Sequence, residues 1–174
     1  MTRWLIVCAL ILTACTADPT QLSPTTGAEA ASALPPGSTL PPQPAAWPTL
    51  VVVLPPPVAD CGPEAAISLA QAQSDLALAA VGQVDVLRQN TQDNALIGQG
   101  GQKSFTLAKD LMTAYAVPEC LAQAKAFALE YFDKNIAAYT ALAAGDQTGY
   151  ETNLNHGEVA RQNMTTEVNK LLGP

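Results

Sequence analysis

The chain has 174 residues, of which 48% are hydrophobic and 13% charged, and its formal net charge at pH 7 is −7. This length fits one ordinary domain with an extension. The acidic balance excludes the broad cationic face that nucleic-acid binding requires, and it also excludes a cationic surface for holding anionic lipids.

The first fifteen residues combine a positive charge, a short apolar run and a cysteine. Arg3 precedes nine apolar residues at 4–12. That run has the length of a signal-peptide core and is well short of the roughly 20 residues that span a bilayer. The residues that close it resemble the lipobox of bacterial lipoproteins: Leu12-Thr13-Ala14-Cys15.

The resemblance to bacterial lipoproteins implies that Cys15 receives a diacylglyceryl group on sulfur and becomes the mature N-terminus when residues 1–14 are removed. Each methylene buried in a bilayer contributes about 0.8 kcal/mol, so two or three acyl chains suffice for stable anchoring. We therefore expect a location at the cell membrane or outer membrane, facing the extracytoplasmic side. The alternative is a plain secreted protein in which Cys15 is incidental.

Residues 15–59 form a predicted proline-rich, disordered tether. Between residues 16 and 59 the chain has eleven of its fourteen prolines, no lysine or arginine, and only two acidic residues. Such a composition cannot bury a core and lacks backbone donors for helix or sheet. The apolar stretch at 47–54 is the exception, and we expect it to pack on the domain surface; the alternative is a strand that binds a partner.

The cysteines are interpreted by position. Cys8 leaves with the signal peptide and Cys15 is the lipid site, which leaves Cys61 and Cys120 as a pair. Export to an oxidising compartment favours a disulfide between them, although two free buried thiols are the alternative.

Residues 60–174 are predicted to form an all-α domain because alanine, leucine, glutamine and glutamate dominate there. Proline at a first helical position and an apolar stripe predict a first helix from Pro63 to about Thr91. Glycines at 98, 100 and 101 predict a mobile linker over 94–102, with a shorter second helix resuming from Phe105.

Pro118 is expected to end the second helix and to open the third, which Gly145 stops. Thr148 with Glu151 fits a capping box at the start of the fourth helix. Four helices with short connections predict an up-down-up-down bundle. Cys61 is expected at the start of the first helix and Cys120 at the start of the third. In that topology both starts lie at the same end of the bundle, so a bridge between the two cysteines is geometrically natural.

Candidate chemistry is sparse. The segment 98–104 (GQGGQKS) is only partly similar to a phosphate-binding loop, since glutamine precedes Lys103. His156 is the single histidine, and pairing it with Met112 or Met164 on a haem is less expected than an exposed position. The serines at 68, 74 and 104 have no recognisable base partner, and the tyrosines at 115, 131, 139 and 150 fit the edge of a core better than a ligand cleft.

These patterns favour a non-enzymatic lipoprotein, with no catalytic residues, metal site or cofactor, that presents the bundle for contact with an envelope protein or for scaffolding. Its partners would be the lipid bilayer, through acylated Cys15, and an envelope protein, but not nucleic acid. The alternative is a bundle that binds a small ligand or cofactor as an accessory to an uptake system. A cell-wall hydrolase would need converging carboxylates that the spacing does not provide.

Overall fold

The computed structural model describes residues 50–173. The predicted signal peptide at 1–14, Cys15 and the predicted tether as far as residue 49 lie outside the described residues. The described chain is all-α and contains four long helices joined by short connections. They are α1 (Pro63–Asn90), α2 (Asn94–Ala114), α3 (Ala122–Ala143) and α4 (Gln147–Leu172), with a short 3₁₀ helix at Glu119–Leu121.

The helices form the predicted up-down-up-down bundle. Each helix packs against the next along the chain, and α1 also contacts α4, although less extensively than it contacts α2. The large side chains that are fully buried come from α1, α2, the 3₁₀ helix and α3: Phe105, Phe132, Leu69, Leu76, Met112, Leu121 and Val84. Met164 and Val168 add the contribution of α4 to the same core.

The start of the second helix differs from the prediction. α2 begins at Asn94, so the expected mobile linker at 94–102 is helical. The Asp93 carboxylate caps the helix, since its Oδ1 atom accepts a hydrogen bond from the Ala95 backbone N–H at 2.8 Å. The glycines there allow close packing: a Cβ atom at Gly98 would meet the Ala143 backbone, with 2.7 Å to its Cα. Tertiary packing therefore outweighs the low helix propensity of glycine.

The start of the fourth helix also differs. The capping box expected at Thr148 and Glu151 is wrong, because the helix begins at Gln147 and its N-cap is Asp146. The Asp146 carboxylate accepts a hydrogen bond from the Gly149 N–H at 2.8 Å, which satisfies one of the free donors of the first turn. Gly145, with a φ angle of 77°, ends the preceding helix as expected.

The other boundaries are close to expectation. α1 ends at Asn90, with Thr91 as its C-cap, one residue short of the predicted end. Pro118 precedes the 3₁₀ helix, and α3 starts only at Ala122. Helix ends vary by one or two residues with the definition that is used, so the one-residue difference at the end of α1 is not significant. The later start of α3 is significant, because a 3₁₀ helix separates it from Pro118.

The apolar stretch before the bundle packs on it where it is described. Leu50 is buried, and Val52 and Leu54 are half-buried against the core, whereas Val51 and Val53 are more than four-fifths exposed. The alternation is that of an extended segment with one face on the domain. Further along, the Pro56 carbonyl accepts a hydrogen bond from the Ser68 hydroxyl at 2.9 Å. The expected docking is thus confirmed for residues 50–54, and residues 47–49 lie outside the described residues.

Candidate functional site

A groove of about 360 Å³ lies between α1 and α4, and Tyr131 of α3 also lines it. The volume falls within the range of about 300–1,000 Å³ that is typical of small-molecule sites. The groove exists because α1 packs mainly on α2, which leaves its other flank only partly covered by α4.

The walls of the groove are largely apolar. Ala70, Ala77, Leu78 and Val81 line it from α1, and Met164 lines it from α4. Met164 is buried, whereas Leu78 is 68% exposed. The small alanine side chains keep the groove open beside the larger leucine and valine. An apolar body in this groove would remove the exposed leucine from water, which is favourable by about 25 cal/mol per Å² of apolar surface.

Gln73 supplies an unusual polar group to this groove. Its side chain lines the groove and is only 3% exposed. Its Nε2 atom is buried without a hydrogen-bond partner, and it is the one buried side-chain nitrogen or oxygen within residues 50–173 that lacks one. A buried donor without a partner costs about 1–3 kcal/mol of stability.

Tyr131 and Arg161 contribute further hydrogen-bond donors. Burial raises the pKa of the Tyr131 phenol, and the nearby Arg161 charge opposes that rise without cancelling it. The phenol therefore keeps its proton at neutral pH. Arg161 itself is held by Glu158, with Nε···Oε2 at 2.8 Å and Nη2···Oε1 at 2.6 Å.

The Arg161–Glu158 pair makes the local charge of the groove nearly neutral. The hydrogen bond from Arg161 lowers the pKa of Glu158, and the same bond raises the pKa of Arg161, so both groups stay ionised. A paired guanidinium offers less attraction to an incoming anion than a free one. The groove can therefore supply hydrogen bonds without a net charge.

Of the three cysteines with a predicted role, one lies outside the described residues and two lie within them. Cys15 lies outside the described residues. Cys61 and Cys120 form a disulfide, with their Cα atoms 6.1 Å apart. The bridge ties the residues that precede α1 to the 3₁₀ helix that precedes α3, as expected from the topology.

The glycine-rich segment does not form a phosphate-binding loop. Residues 98–104 all lie within α2, and Ser104 is buried. The Ser104 hydroxyl donates a hydrogen bond to Gln83 Oε1 at 3.1 Å. The segment is thus a helix face that packs on the bundle.

His156 and the methionines occupy separate environments. His156 is exposed on α4, while Met112 is fully buried in α2. Between residues 50 and 173, no three histidine, cysteine or acidic side chains lie together in a way that could hold a metal ion.

Two of the four tyrosines are more buried than expected for residues at the edge of a core. Tyr115 and Tyr139 are buried, and only Tyr131 and Tyr150 are half-buried. The Tyr115 hydroxyl lies 2.9 Å from the Ser68 Oγ atom. The Tyr150 hydroxyl accepts a hydrogen bond from Arg88 Nη2 at 2.8 Å.

Sequence reasoning missed Gln73, although a signal was present. Positions 69, 76 and 80 carry the apolar stripe of α1, and position 73 falls on that stripe at helical spacing. A glutamine among leucines and alanines on a buried face is a departure from the pattern that the helix otherwise follows. The groove itself could not be foreseen, because it depends on how far α4 lies from α1.

Comparison of the chain with protein-family models, curated proteins and solved structures yields no match. Over residues 50–173, none of the helices has the length and apolar character needed to cross a membrane.

Proposed function

We propose that the chain is a lipid-anchored protein of the cell membrane or outer membrane, with its domain on the extracytoplasmic side. The lipobox-like residues at 12–15 support acylation of Cys15 after removal of residues 1–14. The Cys61–Cys120 disulfide supports export, since such bonds form and persist in oxidising compartments.

We further propose that the bundle acts by binding and has no catalytic activity, through contact with an envelope protein or as a scaffold. The observation that carries this proposal is the apolar outer surface of α1, where Ile67 and Leu78 are 54% and 68% exposed. Both lie on one face of the helix, with Val81 beside them. Exposed apolar side chains that share a face are typical of contact surfaces.

The polar groups of the α1–α4 groove also support binding over catalysis. They are an amide, hydroxyls and the Arg161 guanidinium, whose charge is neutralised by Glu158 beside the groove. A general base needs a raised or free basic group in contact with the reacting atom. Glu158 has a lowered pKa, which makes it a poor base.

A second candidate function is the binding of a small ligand, as an accessory to an uptake system. The buried, unpaired Gln73 amide beside an apolar groove favours it. Small-molecule sites characteristically combine apolar walls with a few fixed polar groups.

Metabolic labelling with palmitate tests the anchor. We expect label in the chain and recovery of the chain with membranes, and we expect Cys15→Ser to abolish both. Cys61→Ser is the matched control, since it changes another cysteine and should leave the label unchanged. Label that persists in Cys15→Ser would contradict the proposal.

Site-specific photo-cross-linking tests the contact surface. A photoreactive residue at Leu78 is expected to give one discrete adduct with an envelope protein in intact cells. The same residue at Val159, which is 53% exposed on α4 outside the groove, is the control and should give none. Equal adducts from both positions would mean that the α1 surface has no special role.

A further inference from the structure

We infer that the groove between α1 and α4 binds an uncharged small molecule with an apolar body and one carbonyl oxygen, and that Gln73 donates a hydrogen bond to that oxygen. Alkyl amides and alkyl ketones belong to this class. The inference rests on the second function proposed above, for which it names the ligand chemistry and the residue that recognises it.

The first support is the unpaired amide. Gln73 is 97% buried, lines the groove, and has no hydrogen-bond partner for Nε2. Nothing in the packing of α1 explains a glutamine there, because leucine or methionine would fill similar space without the cost of an unpaired donor. A ligand oxygen would satisfy the donor. Because Nε2 is itself buried, the last side-chain bond has to rotate for this donor to meet a ligand in the groove.

The second support is the charge of the groove. Glu158 holds Arg161 through two short hydrogen bonds, so an anionic ligand would have to compete with a carboxylate already in place. A cationic ligand would face the guanidinium. An uncharged acceptor neither competes with Glu158 nor is repelled by Arg161. The protonated Tyr131 phenol adds a second hydrogen-bond donor near these two residues.

The third support is the apolar wall. Leu78 and Val81 on the rim and Met164 deeper in the groove present hydrocarbon to any occupant. A ligand with an apolar body would bury this surface while its oxygen reaches Gln73. The volume of about 360 Å³ is large enough for a small molecule.

Photoaffinity labelling of the full chain in its native membranes tests the inference. The probe is an N-alkyl acetamide with a diazirine in its alkyl chain, and the labelled peptides are mapped by mass spectrometry. Two matched probes keep the alkyl diazirine: one replaces the amide with a hydrocarbon end and the other with a carboxylate. We expect the amide probe to label peptides from α1 and α4 about tenfold more than either matched probe, as the loss of one hydrogen bond implies.

Substitutions identify the recognising residue. Gln73→Met keeps the length of the side chain and removes the donor, and it should reduce amide labelling about tenfold to the level of the hydrocarbon probe. Gln71→Met is the control, since Gln71 is exposed on the same helix. Ala77→Phe fills the groove and should abolish labelling by all three probes. Thermal unfolding of each variant confirms that the bundle is intact.

Three results would overturn the inference. The first is equal labelling by the amide and hydrocarbon probes, and the second is full labelling of the folded Gln73→Met variant. The third is cross-linking of two copies of the chain through Leu78 without groove labelling, which would make this face a homo-oligomer contact. Loss of palmitate labelling or of the envelope-protein adduct would contradict the proposed anchor or protein contact. Neither loss would change the probe results, so the ligand inference is tested independently.

Discussion

Gly101 of α2 lies against the ring of Tyr139 of α3, so closely that a Cβ atom at position 101 would come within 2.8 Å of the ring carbon Cε1 and closer still to two others. The same tyrosine ring stacks on Phe105 at a centroid distance of 5.4 Å. The absence of a side chain at Gly101 is therefore what allows α2 and α3 to approach around the aromatic core.

Replacing Gly101 by alanine should destabilise the fold. The methyl group must displace the buried Tyr139 ring, and overpacking of this kind costs about 1–3 kcal/mol. The gain in helix propensity, at most about 1 kcal/mol, offsets only part of that cost. Urea denaturation followed by circular dichroism measures the change.

Gly82→Ala is the matched control for Gly101→Ala. Gly82 lies in the interior of α1, is exposed, and has nothing within 4 Å of a built Cβ atom. Alanine there should stabilise the fold by about 0.5–1 kcal/mol. Equal effects of the two substitutions would refute the close approach at Gly101.

Replacing Gln73 by methionine should stabilise the protein in the absence of any ligand. The substitution removes a buried donor without a partner, worth about 1–3 kcal/mol, and keeps a similar volume. Gln71→Met, at an exposed position of the same helix, should change the free energy of unfolding by less than about 0.5 kcal/mol. A destabilised Gln73→Met variant would show that the amide has a structural partner.

Removing the disulfide should destabilise the bundle. Cys61 and Cys120 are 59 residues apart in sequence, and closing a loop of that length stabilises a fold by about 4 kcal/mol in the chain-entropy model. We expect the double variant Cys61→Ala, Cys120→Ala to unfold at lower urea concentration than the oxidised chain. Reduction with dithiothreitol should reproduce the shift, and an unchanged midpoint would mean that the bond contributes nothing.

Stability should fall at alkaline pH because of the buried tyrosines. Burial is the main cause that raises the pKa of Tyr139 above its ordinary value of 10.0, and burial does the same for Tyr131. The folded state holds these protons more tightly than the unfolded state. The contribution of these tyrosines to the free energy of unfolding is therefore complete below pH 10. It is lost as the pH rises above 10, by up to about 1.4 kcal/mol per pH unit for each group.

The Tyr139→Phe variant isolates that effect. It keeps the stacked ring and removes the titrating hydroxyl, so its free energy of unfolding should decline less steeply between pH 10 and 11.5. Urea denaturation at several pH values gives the two slopes. Identical slopes would mean that Tyr139 ionises as easily in the folded chain as in the unfolded one.

The bundle could be predicted from the sequence because the apolar residues of its helices recur regularly. Leu69, Leu76 and Val84 recur at helical spacing and are all fully buried. The disulfide was predicted from the expected export and from the bundle topology, and Cys61 and Cys120 are bonded in the structure. The apolar composition of residues 50–54 likewise predicted docking, which Leu50, Val52 and Leu54 provide.

Other features depended on tertiary contacts that a sequence does not display. Gly98 and Gly101 suggested a linker because glycine weakens isolated helices, but close packing on α3 makes them helical. At the start of α4, the capping-box pattern of Thr148 and Glu151 lies inside the helix, and the Asp146 carboxylate caps it instead. The groove depends on the spacing between α1 and α4, which a sequence does not display, whereas Gln73 could have been noticed as a polar residue on the apolar stripe of α1.

The intact mass of the chain extracted from membranes tests the proposed anchored state most directly. The proposal predicts a chain that begins at Cys15, carries a diacylglyceryl group and further acyl mass on that residue, and lacks two hydrogens through the Cys61–Cys120 bond. A chain of that length without lipid mass, or one that still contains residues 1–14, would contradict it.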